Sequence, residues 1–418
     1  MKNLWATLPP LLSDNNGLIE VVKNTDGCAV IDDSGAFRLS GGQGHGGHGG
    51  RMGSGRRGGD GFGGGFGGSH DGHGGHGGGH GGHGGRGGGK GGKGSNSRTV
   101  VSGANSQDVT TGTRDAMMDA FQSARSRFDP SFVLLSAGPC GAMIGTDLKE
   151  IAETITNDYH IPAAAVDLTG QKAYDVGISK TTEAMAKLLA KPGEIQPGTL
   201  NILGATTLDW SAEDLSEARN WAAQQGWQVL TQPGTAVTAA QLANMGKAQL
   251  NWVTTVSGLA AARYLQNTFG TPYVVGSPFG VKQVVKLADL MQTPTLPDPT
   301  EPFEVDTLII GEQLAANALR DALESKGFAK GADVATFYQL DKKYARRGDR
   351  KIKGEADARE LINSGKYRLI VADPVLRPLL EINCEWIDLP HKAMNPYGEC
   401  NTTSLFGNKL DNWLDSHR

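Results

Sequence analysis

Phe132-Val-Leu-Leu-Ser-Ala-Gly-Pro-Cys-Gly-Ala-Met-Ile-Gly-Thr-Asp-Leu148 is the stretch that decides the fold. Its first six residues form an apolar run too short for a helix, and Gly138-Pro139 stops it, so it reads as a buried strand. Leu148, Ile151, Ala152 and Ile155 then recur at three- and four-residue spacing, which predicts a helix over Asp147–Tyr159. Pro162-Ala-Ala-Ala-Val-Asp167 reads as a second strand. Strand, turn, helix, strand is the unit of a parallel sheet, because parallel neighbours need a long crossover between them.

The same grammar repeats outward along the chain. Thr199–Gly204 reads as a strand, Ala212–Gln225 as a helix and Trp227–Leu230 as a strand. Trp252–Ser257 leads through Gly258 into a helix over Leu259–Phe269, and Pro272–Gly276 follows as a strand. A Pro-rich linker spans 293–302. Beyond it Val305–Gly311, a helix over Gln313–Lys326, and strands at Val334–Tyr338 and Arg368–Ala372 open a third unit. On the amino-terminal side Thr111–Phe128 is amphipathic, and the apolar triplet before Asp32 reads as a short buried strand. The expectation is an α/β protein of three Rossmann-like parallel-sheet domains: 99–195, 196–292 and 303–418, with 1–40 contributing to the first.

Residues 41–98 belong to none of these. Of the 61 Gly in the 418-residue chain, 33 fall between Gly41 and Gly94, together with seven of the ten His. Six cations against two anions give this tract +4, so the rest of the chain carries −8. The composition predicts a disordered Gly/His-rich insertion. His45, His48, His70, His73, His76, His80 and His83 on such a chain form a candidate chelating tract for a divalent transition metal, since neutral imidazole is a good ligand for zinc, nickel and copper. A passive linker is the competing reading. Weak polyanion binding through the interspersed Arg and Phe62/Phe66 is the remote one.

Composition removes several classes. The tract has no three-residue period, which excludes collagen. No stretch approaches 18 apolar residues and Met1–Pro10 has no long apolar core, so neither a membrane span nor a leader is expected, and the cytoplasm is the default. Four Cys at 28, 140, 384 and 400 are too scattered for a disulfide scaffold. The acidic globular part argues against nucleic acid as a partner.

Cys140 lies where a parallel strand gives way to a helix, the edge at which open α/β sheets gather ligands. A thiolate there could bind iron or serve as a nucleophile, although free Cys is more often simply buried. Leu308-Ile-Ile-Gly311-Glu312 lacks the later glycines of a dinucleotide turn. Asp32-Asp33 and Asp373 read as solvated turn carboxylates. Cys384 and Cys400, with His391 between them, do not have a zinc-site spacing.

Taken together, Ser136–Leu148, Ile161–Gly170, Ser257–Gln266, Gly270–Gly276, Gly311–Asn317 and Leu389-Pro-His391 resemble segments of nitrogenase component 1-like oxidoreductases, in order and in spacing. That family includes nitrogenase component 1 subunits, dark-operative protochlorophyllide reductase and nickel-tetrapyrrole reductive cyclase. The resemblance implies three parallel-sheet domains and a second component 1-like subunit. It also implies an iron–sulfur cluster at the subunit interface and an ATP-dependent iron protein supplying electrons. Cys140 matches one cluster-ligand position. At the two amino-terminal ligand positions this chain has Ile19 and Ala36, with Cys28 between them as a possible substitute. It lacks the Cys and His pair expected to anchor the large nitrogenase cofactor, so nitrogen reduction is not expected. The expected function is a nitrogenase-like oxidoreductase subunit. The alternatives are a non-catalytic metal or cofactor scaffold using the His tract, and a structural partner subunit without chemistry.

Overall fold

The structure, a computed structural model, describes residues 6–34, 98–294, 302, 304–395 and 402–417. Most of the Gly/His tract with its seven His, Ala36, most of the Pro-rich linker and Cys400 lie outside the described residues.

The first sheet uses β1 (Cys28–Asp32), β2 (Thr99–Val101), β3 (Val133–Ala137) and β4 (Ala163–Ala165) in the order β2-β1-β3-β4, all parallel. Around it stand α1 (Asp14–Val22), α2 (Ser106–Thr111), α3 (Arg114–Phe128), α4 (Pro139–Ile144), α5 (Leu148–Tyr159) and α6 (Tyr174–Leu189). The second sheet orders β5 (Gln196–Leu203), β6 (Gln228–Thr231), β7 (Ala248–Val253) and β8 (Tyr273–Val275) as β6-β5-β7-β8, with α7 (Ala212–Gln224), α8 (Ala239–Leu242), α9 (Leu259–Phe269) and α10 (Val281–Gln292). The third contains β9 (Thr307–Ile310), β10 (Ala332–Thr336), β11 (Arg350–Lys351), β12 (Leu369–Ala372) and β13 (Glu385–Asp388) in the order β11-β10-β9-β12-β13. Its helices are α11 (Gln313–Ser325), α12 (Glu355–Ile362) and α13 (Asn408–Asp415). All ladders in the three sheets are parallel.

The central strands β1, β3, β9 and β12 are buried along their whole length, whereas edge strands β4, β11 and β13 are not. Helices on both faces of a parallel sheet impose this, and it is why these strands read as unbroken apolar runs. The largest displacement from expectation is in β7, which starts at Ala248 rather than Trp252, because buried Asn251 is tolerated through a cross-strand ladder; β5 starts three residues early and β10 lies two residues early. Asn201 Nδ2 donates to Asn251 Oδ1 at 2.8 Å, and Thr231 Oγ1 donates to Asn201 Oδ1 at 2.8 Å. The amphipathic stretch 111–128 also divides, into the end of α2 and α3.

α1 and α6 cross with backbones in contact. A Cβ on Gly17 would stand 2.0 Å from the Tyr174 carbonyl oxygen, and one on Gly177 would stand 1.8 Å from that of Asp14. Only glycine permits this approach. It places the amino-terminal end of α6 beside α1 and under the carboxyl edge of the first sheet.

Candidate functional site

The carboxyl edge of the first sheet gathers the turn after β1, the turn after β3 and the start of α1. Cys140 is the second residue of α4 and is exposed, with Met143 a turn further on and 85 % exposed. Behind it the chain is packed tightly. A Cβ on Gly138 would come within 1.9 Å of Asp33 Oδ2, and one on Gly141 within 2.2 Å of the Asp32 carbonyl oxygen. The two glycines of Gly-Pro-Cys-Gly therefore let the β1 turn pass underneath. Asp32 and Asp33 are buried, not solvated as their turn position suggested. Asp32 accepts from Ser102 Oγ at 3.0 Å and from Thr113 Oγ1 at 2.6 Å, so hydrogen bonds offset its loss of water. Asn15 ties α1 to the same edge: its Nδ2 donates to the Ala137 carbonyl at 3.0 Å, and its Oδ1 accepts from Ser136 Oγ at 2.9 Å.

Cys28 is not brought to Cys140. It opens β1 opposite Val133, four register positions before Asp32, roughly 13 Å along the strand from the carboxyl edge. It is fully buried among Val30, Met117, Phe121 and Ile151, and burial pushes its thiol up to about 12. Ile19, at an expected ligand position, is half-buried on α1 and packs against the core. Cys384 is half-buried, with its thiol facing the Tyr367 and Arg368 carbonyls. Among the described residues no group of three or more His, Cys, Asp or Glu is arranged to hold a metal ion. A four-ligand cluster does not fit this donor set alone. One exposed thiol at a sheet edge fits the contribution of one chain to a cluster shared with another.

A second site, part of which falls in the segments Gly311–Asn317 and Leu389-Pro-His391, lies where the second and third domains meet, with Tyr174 of the first packed against it. A cavity of about 40 Å³ is lined by Asp209, Glu312, Asp373, His391, Phe279 and Met394, among others. Tyr174 donates its hydroxyl to Asp209 at 2.6 Å, and stacks edge-on against Tyr338 at 5.0 Å between ring centroids. Burial raises Asp209 to about 7 and Glu312 to about 8, so near neutrality Asp209 is about half protonated and Glu312 mostly so. Both ring nitrogens of His391 and the Tyr338 hydroxyl are shielded and without a partner among the described residues. Burial lowers His391 to about 4, which keeps its imidazole neutral. Asp373 is buried too, and accepts the His391 backbone N–H at 2.7 Å. In sequence these groups are single acids just past strands; only the packing of three domains brings them together. The larger recess of about 520 Å³ between α10 and α11 is different in kind. Its Arg320 and Arg346 are paired with Asp349 and Glu324.

The sequence model of the family described as "Nitrogenase component 1 type Oxidoreductase" matches residues 90–329, more than half of the chain. This chain belongs to that family. Among curated relatives, the light-independent protochlorophyllide reductase B-subunit of Rhodopseudomonas palustris (strain BisB5) is 27 % identical over 213 residues, covering 46 % of this chain and 39 % of that protein. Its counterpart in Methylobacterium sp. (strain 4-46) is 27 % identical over 283 residues, covering 61 % and 54 %. The matched part thus spans about two fifths to one half of these relatives. The solved structure "Nitrogenase Cp1 at pH 6.5" superposes with a TM-score of 0.65 at 11 % identity, covering all of this chain and 95 % of that one. That likeness establishes the fold. Among this member's described cysteines, Cys140 is the exposed one.

Proposed function

We propose that this chain is a nitrogenase-like oxidoreductase subunit that pairs with a second component 1-like chain and receives electrons from an ATP-dependent iron protein. The observation that carries the reading is the exposed Cys140 on the carboxyl edge of the first sheet, in a chain of this family. Cys140 is this chain's ligand to an interface iron–sulfur cluster, the partner supplying the others. Such a cluster would pass electrons singly. Substrate occupies the junction of the three domains, where Asp209 and Glu312 hold protons that a reduction consumes along with electrons. At about 40 Å³ the cavity holds little more than a water molecule, so the junction widens to admit a substrate.

The test is anaerobic purification of the chain alone and with a second component 1-like chain, followed by iron and sulfide analysis. The pair should carry both in cluster amounts, and Cys140→Ala should lose them while remaining folded. A pair without iron, or a Cys140→Ala pair with unchanged iron, overturns the proposal.

A second reading is a metal or cofactor scaffold loaded through the seven His of the tract. It is favoured by the packing of Ile19 into the core at an expected ligand position. It requires zinc, nickel or copper binding that falls when 41–94 is replaced by a short Gly-Ser linker. Unchanged binding removes the tract from the mechanism.

A further inference from the structure

α11 borders a different cavity on each of two faces. Ala315, Ala316 and Leu319 face the small cavity of the domain junction. Leu314, Asn317, Ala318, Asp321 and Glu324, spaced three and four residues apart, face the recess of about 520 Å³ toward α10. That recess is a cleft between the second domain and the third. Val275, Ser277 and α10 form one wall, and α11 with Tyr344 and Arg346 forms the other. Its volume falls within the range of roughly 300–1,000 Å³ typical of small-molecule sites.

The charges lining it are unevenly engaged. Both of its acids are already taken up: Asp321 accepts from Gln283 Nε2 and pairs with Arg346 at 3.5 Å, and Glu324 holds Arg346 Nη1 at 2.5 Å. Lys282 and Lys286, four residues apart on α10, make no ion pair and no side-chain hydrogen bond among the described residues. Arg320, 2 % exposed, donates from Nη1 to Asp349 at 2.8 Å and from Nη2 to Asn317 at 2.6 Å. Its Nε–H is shielded and without an acceptor among the described residues, and native interiors leave few such donors unpaired. Four cations thus line the recess against two carboxylates, and counting Asp349, the partner of Arg320, still leaves a positive charge in excess. Leu287, Leu290 and Leu314 add an apolar surface beside them.

We propose that this recess binds a small organic anion, a carboxylate or phosphate ester with an apolar body, and that the bound anion ties α10 to α11. Lys282 and Lys286 meet the charged head, and the carbon body lies against the leucines. Both lysines are exposed, so their attraction for the anion is screened by salt and affinity falls as ionic strength rises. The inference goes beyond the oxidoreductase reading and does not depend on it, since the recess shares no lining residue with the junction cavity and does not include Cys140.

Calorimetry and thermal unfolding of the full chain test it, with phenyl phosphate and phenylacetate as the two anionic probes. At least one of them should bind one-to-one with a dissociation constant on the order of 1 mM and raise the unfolding temperature saturably. Which of the two binds more tightly identifies the head group. Inorganic phosphate, which lacks the apolar body, and benzyl alcohol, which lacks the charge, should each bind about tenfold more weakly or worse. K282Q/K286Q should weaken the anion by about tenfold or more and leave the unfolding midpoint of the ligand-free chain unchanged, because both side chains are exposed. The proposal is overturned if neither anion binds saturably up to roughly 10 mM, if either control binds as tightly as the anions, or if K282Q/K286Q binds them unchanged. None of these readouts needs iron or an electron donor. A chain that binds the anion but assembles no cluster keeps this inference and loses the oxidoreductase reading.

Discussion

Cys140 and Cys28 are the same functional group in opposite surroundings, and alkylation separates them. Maleimide at pH 8 should label Cys140 in the native chain and leave Cys28 untouched until denaturant is added, because burial holds the Cys28 thiol near 12. Mass mapping of the label checks this; native labelling of Cys28 would mean that β1 does not lie inside the sheet. Cys140→Ala should change stability by no more than about 0.5 kcal/mol, as an exposed substitution does. Cys140 is legible in the sequence because a strand-to-helix turn marks a sheet edge by itself. The burial of Asp32, Asp33 and Asp373 is not. Turn position predicts exposure only when no second turn is pressed against it, and Gly138 and Gly141 give that away only once their neighbours are known.

Helices and strands are legible in proportion to how one-sided their burial is. α9 and α11 carry clean apolar stripes and are readable to within a residue, as is β1 from its apolar triplet. α6 carries no such signal. It packs against α1, α8 and α9, and its buried positions include Asp175, Gly177, Ser179, Thr181 and Thr182, which no apolar periodicity would reveal. The α1–α6 crossing makes a prediction of its own. Gly17→Ala or Gly177→Ala drives a methyl group into a backbone carbonyl, so the helices must separate. Each should cost about 1–3 kcal/mol, read as a lowered midpoint in denaturant unfolding. An unchanged midpoint would mean that the helices do not touch there.

The whole chain should be less stable at pH 8.5 than at pH 6.5. An unfolded carboxyl is ionised above roughly pH 4. Folded Asp209 and Glu312 keep their protons to about 7 and 8, so the folded state holds more protons in this window and loses stability as pH rises through it. His391 acts in the opposite sense, but its contribution is lost only as pH falls from about 6.5 towards 4, below the window. Thermal unfolding at the two pH values checks the sign, and E312Q should flatten the difference; a midpoint that rises with pH refutes it. The three-domain architecture can be read from repeated strand–helix grammar, whereas the acids of the junction sit at 209 and 312, and no local pattern links them. The first sheet also constrains any attempt to remove the Gly/His tract. β1 and β2 are parallel neighbours, yet the chain leaves β1 at the carboxyl edge, past Ser34, and must re-enter at the amino edge, at Arg98. The sequence between these two ends includes the tract. Excising 41–94 leaves nine residues to make that traverse, against the dozen or more that parallel crossovers use. Their reach, roughly 30 Å when extended, spans the sheet edge to edge but not comfortably around its face. A replacement linker therefore sets a floor on loop length: a few added residues keep β2 in register, and a blunt excision would strip the edge strand from the sheet that presents Cys140.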